Sequence, residues 1–283
     1  MATFTNMATL TYNGTTVNSN IVTGEIQEVL SAVKTAVRDT YAAGEDVTYV
    51  ISIVNSGTVP FADLTVTDNL GAYAVGENTV YPLTYAEDSV RYYVNGVLQS
   101  APAVTAGPPL VITGIPVPAG GNALIIYEAD VNSFAPLGED GTVVNRVEVT
   151  GGGLANPVVA EETVTARVRA DVTITKALNP VVVPENGQLT YTFTIQNFGN
   201  EAVVATDDAV LTDTFDPILE DIAVTYNGEV WVEGVNYTYD ESTGVFTTLP
   251  GQITVSAATF TQNEDGTWTV TPGAATLVVT GTI

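Results

Sequence analysis

The chain contains only two lysines, Lys34 and Lys176, against 32 acidic residues. Each lysine opens the same succession of residues. Tyr49 follows Lys34 at the spacing at which Tyr191 follows Lys176, and Asn55-Ser56-Gly57 then matches Asn197-Phe198-Gly199 without a gap. Further on, Thr65-Val66-Thr67-Asp68-Asn69-Leu70 matches Val210-Leu211-Thr212-Asp213-Thr214-Phe215. Each lysine therefore comes with an aspartate, Asp68 or Asp213. An asparagine, Asn145, follows in the first copy, and the N-terminal segment Thr3 to Thr11 aligns with Thr142 to Thr150 so that Asn6 falls on Asn145. A lysine held in an apolar interior loses its proton and becomes a nucleophile. A neighbouring carboxyl can shuttle protons, and the amide carbon of asparagine can be attacked with loss of ammonia. Proximity alone then suffices to make an isopeptide bond. The candidate sets are Lys34, Asp68 and Asn145 in the first copy, and Lys176, Asp213 and Asn6 in the second. The same residues also suit a solvent-facing lysine, a turn-capping aspartate and a turn asparagine, so the residue types alone leave both readings open.

The elements that must position these groups read as strands. Val47 to Ile53, Leu189 to Ile195, Leu124 to Tyr127 and Leu277 to Thr280 are short, Val-, Ile-, Thr- and Tyr-rich runs. Such usage fits a pleated, half-buried surface. The pairs Asn13-Gly14, Asn95-Gly96 and Asn227-Gly228 are hairpin-turn signals between such runs. Residues 25–36 carry a weak helical period, but their counterpart 167–178 is rich in Val and Thr, so both are expected to be strands. Many short strands at this spacing predict an all-β chain: two tandem immunoglobulin-like β-sandwiches with an N-terminal donor-strand segment. The expected boundaries are 1–25 for the donor strands, 26–169 for the first sandwich and 170–283 for the second.

Composition narrows the chemistry. A formal charge of −25 repels nucleic-acid phosphates and anionic membranes. With no Cys and no His, thiolate chemistry, disulfides and His-based triads are excluded. No run approaches the length of a membrane span, and Met1 to Asn6 lacks the features of a signal peptide. A turnover enzyme is not expected, and a glycosidase with paired carboxylates is a distant third reading. No cofactor is expected. Calcium is a weak possibility at Asp207-Asp208, Glu220-Asp221, Glu139-Asp140 and Glu264-Asp265, none with EF-hand spacing. Trp231, Tyr237 and Tyr239 could face a sugar, although strand aromatics more often pack in a core.

The segments Thr48-Tyr49-Val50-Ile51-Ser52-Ile53-Val54-Asn55-Ser56-Gly57 and Leu64-Thr65-Val66-Thr67-Asp68 resemble a bacterial surface repeat, domain of unknown function 11, and Phe4 to Leu10 resembles its closing strand. That resemblance implies an immunoglobulin-like fold and an extracellular location. The short chain without a leader is similar to appendage-building subunits of spore-forming bacteria, which implies an extracellular or spore-surface setting.

The second copy follows the first through Leu277 to Ile283, which aligns with Leu124 to Asp130. Nothing then corresponds to residues 131–168, whereas residues 1–25 look like those closing strands. About ten residues join Thr23 to the first strand of the first copy, a reach of roughly 35 Å, which argues against closure within one chain. The expectation is donor-strand complementation: Phe4, Asn6, Ala8 and Leu10 enter the second sandwich of a neighbour, giving a head-to-tail homopolymer whose tip and anchor partners the sequence does not name. The alternative is a two-domain adhesin or carbohydrate-binding module.

Overall fold

A computed structural model describes residues 2–283; Met1, the first residue of the expected donor segment, lies outside them. Strands make up nearly all of the regular structure. The N-terminal segment holds β1 (Ala2–Asn6), β2 (Thr9–Tyr12), β3 (Thr15–Asn18) and β4 (Val22–Ile26). β5 (Leu30–Ala36), β6 (Thr40–Tyr41), β7 (Asp46–Asn55) and β8 (Phe61–Asp68) follow. Then come β9 (Tyr73–Val75), β10 (Asn78–Val80), β11 (Leu83–Tyr85), β12 (Arg91–Val94), β13 (Val97–Leu98) and β14 (Ala103–Thr105). β15 (Leu110–Val117), β16 (Asn122–Val131), β17 (Thr142–Gly151) and β18 (Val158–Ala166) close the first sandwich. The second contains β19 (Val172–Asn179), β20 (Gln188–Asn197), β21 (Thr212–Thr214), β22 (Glu220–Tyr226), β23 (Glu229–Trp231) and β24 (Tyr237–Asp240). It continues with β25 (Val245–Thr248), β26 (Thr259–Gln262), β27 (Trp268–Thr271) and β28 (Gly273–Thr282). Of the stretch with weak helical period, residues 30–36 form strand β5 and residues 25–26 end β4, while 27–29 connect them outside any strand.

The chain divides into two compact units, residues 1–135 with 142–165, and residues 136–141 with 166–283. The division thus falls between Thr165 and Ala166 rather than after Arg169, and the loop 136–141 groups with the second unit. In the first unit one sheet runs β13-β12-β16-β7-β5, with β11 also on β16, and the other runs β14-β15-β8-β17-β18-β6. In the second unit the main path of the first sheet recurs as β23-β22-β28-β20-β19, without a counterpart of β11 among the described residues. The other sheet is reduced to β24-β25-β21.

Side chains alternate across each strand, so one face of each sheet supplies the core. In β7 the inward set is Val47, Tyr49, Ile51, Ile53 and Asn55; in β16 it is Ala123, Ile125, Tyr127, Ala129 and Val131. The repeated Asn-x-Gly motif is explained here. Asn55 is fully buried, donates to the carbonyls of Val59 and Pro118, and accepts from Gly57 N–H. Asn197 does the same with Glu201, Ser256 and Gly199. Each is a clamp that replaces missing ladder bonds where a strand ends, as buried backbone groups require.

Residues 2–26 form one long hairpin, with β1 on β4 and β2 on β3. Its tip is Asn13-Gly14, with φ 46° and 76°, the two positive values that a tight hairpin turn demands. Asn95-Gly96 and Asn227-Gly228 show the same pair of positive angles. Both faces of the hairpin are exposed, including Phe4, Leu10, Tyr12, Val17, Ile21 and Val22.

Candidate functional site

Strand alternation sends three polar side chains inward in the first sandwich, where apolar residues would be expected. Lys34 on β5 shares its face with the buried Leu30, Asp68 on β8 with Leu64 and Val66, and Asn145 on β17 with Val143, Val147 and Val149. All three are almost fully buried, Lys34 at 2% exposure. Lys34 Nζ donates to Asp68 Oδ2 and, over 2.9 Å, to the hydroxyl of Tyr127. That hydroxyl donates to Asp68 Oδ2 at 2.6 Å and accepts from Asn145 Nδ2 at 3.0 Å. The predicted trio is therefore one connected cluster, with Tyr127 at its centre.

The turn after β8 supplies two backbone donors. Leu70 N–H bonds Asp68 Oδ1 at 3.0 Å, and Gly71 N–H bonds Asn145 Oδ1 at 3.3 Å. Leu70 holds a left-handed φ of 51° to aim them, a conformation that costs energy for a branched residue and is kept when the surroundings impose it. The cluster is roofed by aromatic rings. Tyr49 stacks on Tyr127 with centroids 5.6 Å apart, and Lys34 Nζ lies 4.6 Å from the centre of the Tyr49 ring. Burial lowers the Lys34 ammonium from its ordinary value to about 8, against the opposing pull of Asp68. The same burial pushes the Tyr127 and Tyr49 hydroxyls up. Amine and amide thus stand within two hydrogen bonds of each other in an enclosure of buried, largely apolar side chains.

The second sandwich carries half of this site. Lys176 Nζ bonds Asp213 Oδ2, and the amine lies 4.2 Å from the centre of the Tyr191 ring and 5.4 Å from those of Phe193 and Phe215. The side chains of Lys176 and Asp213 remain 38% and 21% exposed. The reason is the reduced sheet. Asp68 pairs across β8 with Leu110 of β15 on one side and Val147 of β17 on the other. Asp213 pairs with Phe246 of β25 alone, and no strand occupies the β17 side of β21 among the described residues. Consequently Val172 is 46% exposed where its counterpart Leu30 is 6% exposed, and Ile174 is exposed as well.

Asn6 stands exposed on the N-terminal hairpin and faces Val22 across it, as Asn145 faces Glu162 across β17–β18, although the hairpin ladder shifts by one residue between β1–β4 and β2–β3. Val143 faces Val164 in the first sandwich, and Phe4 faces Gly24 in the hairpin. The large ring occupies the space of the missing side chain, since a Cβ at Gly24 would lie 2.3 Å from Phe4 Cζ. Of the four candidate donor residues, Phe4 and Asn6 lie on β1 and Leu10 on β2. Ala8 lies between the strands, its N–H bonded to Ser19 Oγ at 2.9 Å.

Two details differ from the sequence reading. The ladders pair Tyr127 with Tyr49 and Val279 with Tyr191. Val279 is therefore the counterpart of Tyr127, and Leu277 to Ile283 aligns one residue further along, on Ile125 to Val131. The residue types of the trio do not point to Tyr127; its inward phase on β16 is the signal that places it in the core. The aromatics Trp231, Tyr237 and Tyr239 do not form a sugar-facing surface. Tyr237 is buried against Phe246, Trp231 stacks on Tyr226 at 4.8 Å, and the Tyr239 hydroxyl bonds the backbone of Leu219. Among the described residues no three acidic side chains converge as metal ligands. No described helix is long and apolar enough to cross a membrane.

No protein family and no curated protein matches the chain. Solved structures that resemble it include the major pilin subunit BcpA of Bacillus cereus, 13% identical, covering 96% of this chain and 73% of that one with a TM-score of 0.35. The pilus backbone protein RrgB of Streptococcus pneumoniae is 14% identical and covers 83% of this chain and 52% of that one, with a TM-score of 0.36. The collagen-binding domain of a Staphylococcus aureus adhesin is 14% identical and covers 50% of this chain and 99% of that one, with a TM-score of 0.32.

Proposed function

We propose that this chain is a structural subunit that joins copies of itself head to tail into an extracellular or spore-surface filament. The observation that carries the reading is the pairing of an open edge with a free insert. β21 lacks the neighbour that β17 provides to β8, while residues 2–26 form a hairpin of the β17–β18 kind with both faces exposed. Unpaired edges recruit strands, and the inward-phase residues Phe4, Ala8 and Leu10 match the apolar character of Val143, Val147 and Val149. Entry of this hairpin into the second sandwich of a neighbour is donor-strand complementation. Because donor and acceptor are different surfaces of the same chain, the contact repeats without closing.

Two covalent braces belong to the same reading. Lys34 and Asn145 join within the first sandwich. Lys176 joins Asn6 of the incoming hairpin, welding one subunit to the next. Each bond forms once, so the protein is not a turnover enzyme. The resemblance of both repeats to domain of unknown function 11 fits this role.

The test is polymer length after deletion of residues 2–26, followed by light scattering, and supply of the hairpin as a separate peptide. Loss of multimers on deletion, with stoichiometric capture of the peptide and masking of Lys176 from amine-reactive reagents, supports the reading. Multimers that persist without the hairpin, or a peptide that leaves Lys176 reactive, would sink it.

A further inference from the structure

Tyr127 is the one hydroxyl that touches every reacting partner in the first sandwich, and nothing in the pattern of lysine, aspartate and asparagine requires it. We propose that Tyr127 is the proton carrier of bond formation, delivering the proton that lets the Asn145 nitrogen leave as ammonia. The proposal rests on the reading of Lys34 and Asn145 as a bond-forming pair. Its basis is geometric. The Tyr127 oxygen lies 3.0 Å from Asn145 Nδ2, 2.6 Å from Asp68 Oδ2 and 2.9 Å from Lys34 Nζ. On the other side of the amide, Gly71 N–H meets Asn145 Oδ1, where negative charge develops during attack.

The step balances as follows. Lys34 passes one proton from Nζ to Asp68, and the neutral amine attacks Cγ of Asn145, forming the Nζ–Cγ bond and placing the negative charge on Oδ1. Tyr127 gives its proton to Nδ2 and recovers one from Asp68. Asp68, again a carboxylate, takes the second proton from Nζ. The charge on Oδ1 returns to re-form the carbonyl, the Cγ–Nδ2 bond breaks, and ammonia departs. An amide joins the two side chains, and no oxidant, reductant or co-reactant is consumed. Amide nitrogen is a poor leaving group until it is protonated, which is why a positioned donor matters.

The second sandwich offers the contrasting case. Val279 stands where Tyr127 stands, so the half-site of Lys176 and Asp213 has no hydroxyl at that place. Formation of the bond to Asn6 is therefore expected to be slower than formation of the bond to Asn145.

The experiment uses the full chain recovered unfolded and refolded by dilution, with intact mass read over time and folding followed separately by circular dichroism. The groups facing Lys34 are Tyr49 on β7, Asp68 on β8, Tyr127 on β16 and Glu162 on β18. Because the reactive state keeps one proton shared between Lys34 and Asp68, the wild-type rate should stay level up to a pH of about 8 and fall above it. Tyr127→Phe should form the bond about 100-fold more slowly or worse, and its rate should no longer fall above that pH. If Tyr127→Phe does not fold, 3-fluorotyrosine at position 127 keeps the shape and acidifies the hydroxyl, and should change the rate. Unchanged rate and pH profile in the variant that folds would overturn the proton-carrier role. A wild-type chain that never loses ammonia would overturn the bond itself, a different and separately visible result.

Discussion

Two copies of one lysine–aspartate pair sit in this molecule at opposite extremes of solvation. The Lys34 side chain is 0% exposed and its aspartate 1%, whereas Lys176 is 38% exposed and its aspartate 21%. The strands that carry them are equivalent, and so are the aromatic rings of Tyr49 and Tyr191 over each amine. What differs is a neighbour. β17 and β18 cover Lys34 and deliver Asn145, while the matching side of β21 is open. The lesson is that neither lysine nor aspartate makes the site; the closing hairpin does, by excluding water and supplying the amide together.

The comparison breaks most visibly through the two lysines. Lys34→Ala should destabilise the first sandwich by about 3–5 kcal/mol in chemical denaturation, because it leaves Asp68 buried without its partner. Lys176→Ala in the uncomplemented chain should cost no more than about 1 kcal/mol, as exposed pairs do. Equal effects would mean that the two environments are alike.

A smaller effect is expected from the hairpin. Leu10→Ala should leave unfolding of the isolated chain unchanged, since Leu10 is 63% exposed there. It should weaken head-to-tail association by about 1.5–3 kcal/mol, the value of one large apolar side chain passing from water into a core. Sedimentation equilibrium reads both arms, and a Leu10→Ala chain that associates as tightly as wild type would detach the hairpin from the interface. The smallest change is expected at the hairpin tip. Gly14→Ala meets no neighbouring atom but must hold a φ of 76°. It should cost association about 1–2 kcal/mol through backbone strain alone, visible as a modest shift in the same titration.

Much of this was legible from residue spacing. The recurrence of Lys34 and Lys176, and of Asp68 and Asp213, predicts two lysine–aspartate pairs, because alternation along a strand fixes which positions face inward. The Asn-Gly turns were equally legible, since only a few residues tolerate positive φ. Tyr127 was not. One inward aromatic on a strand of alternating apolar residues looks like core packing, and only the three-dimensional convergence of β5, β8, β16 and β17 turns its hydroxyl into a shared partner. The register of β28 differs by one residue from the alignment of the two copies because Leu277 to Val279 is a uniform apolar run, in which a shift leaves the composition unchanged; the backbone ladder to β20 places Val279 opposite Tyr191. The aromatics of β23 and β24 were ambiguous for the same reason, since the residue type carries no record of which face it lies on.

The sequence by itself determined the strands, the turns, the duplication and the lysine–aspartate pair of each copy, because alternation and repeat spacing are local properties of a chain. Tertiary structure alone decided which lysine is dry, which hydroxyl joins the cluster and which sheet edge stays open. Those depend on what packs against a residue from distant segments, and desolvation, which tunes the amine, exists only once that packing is complete.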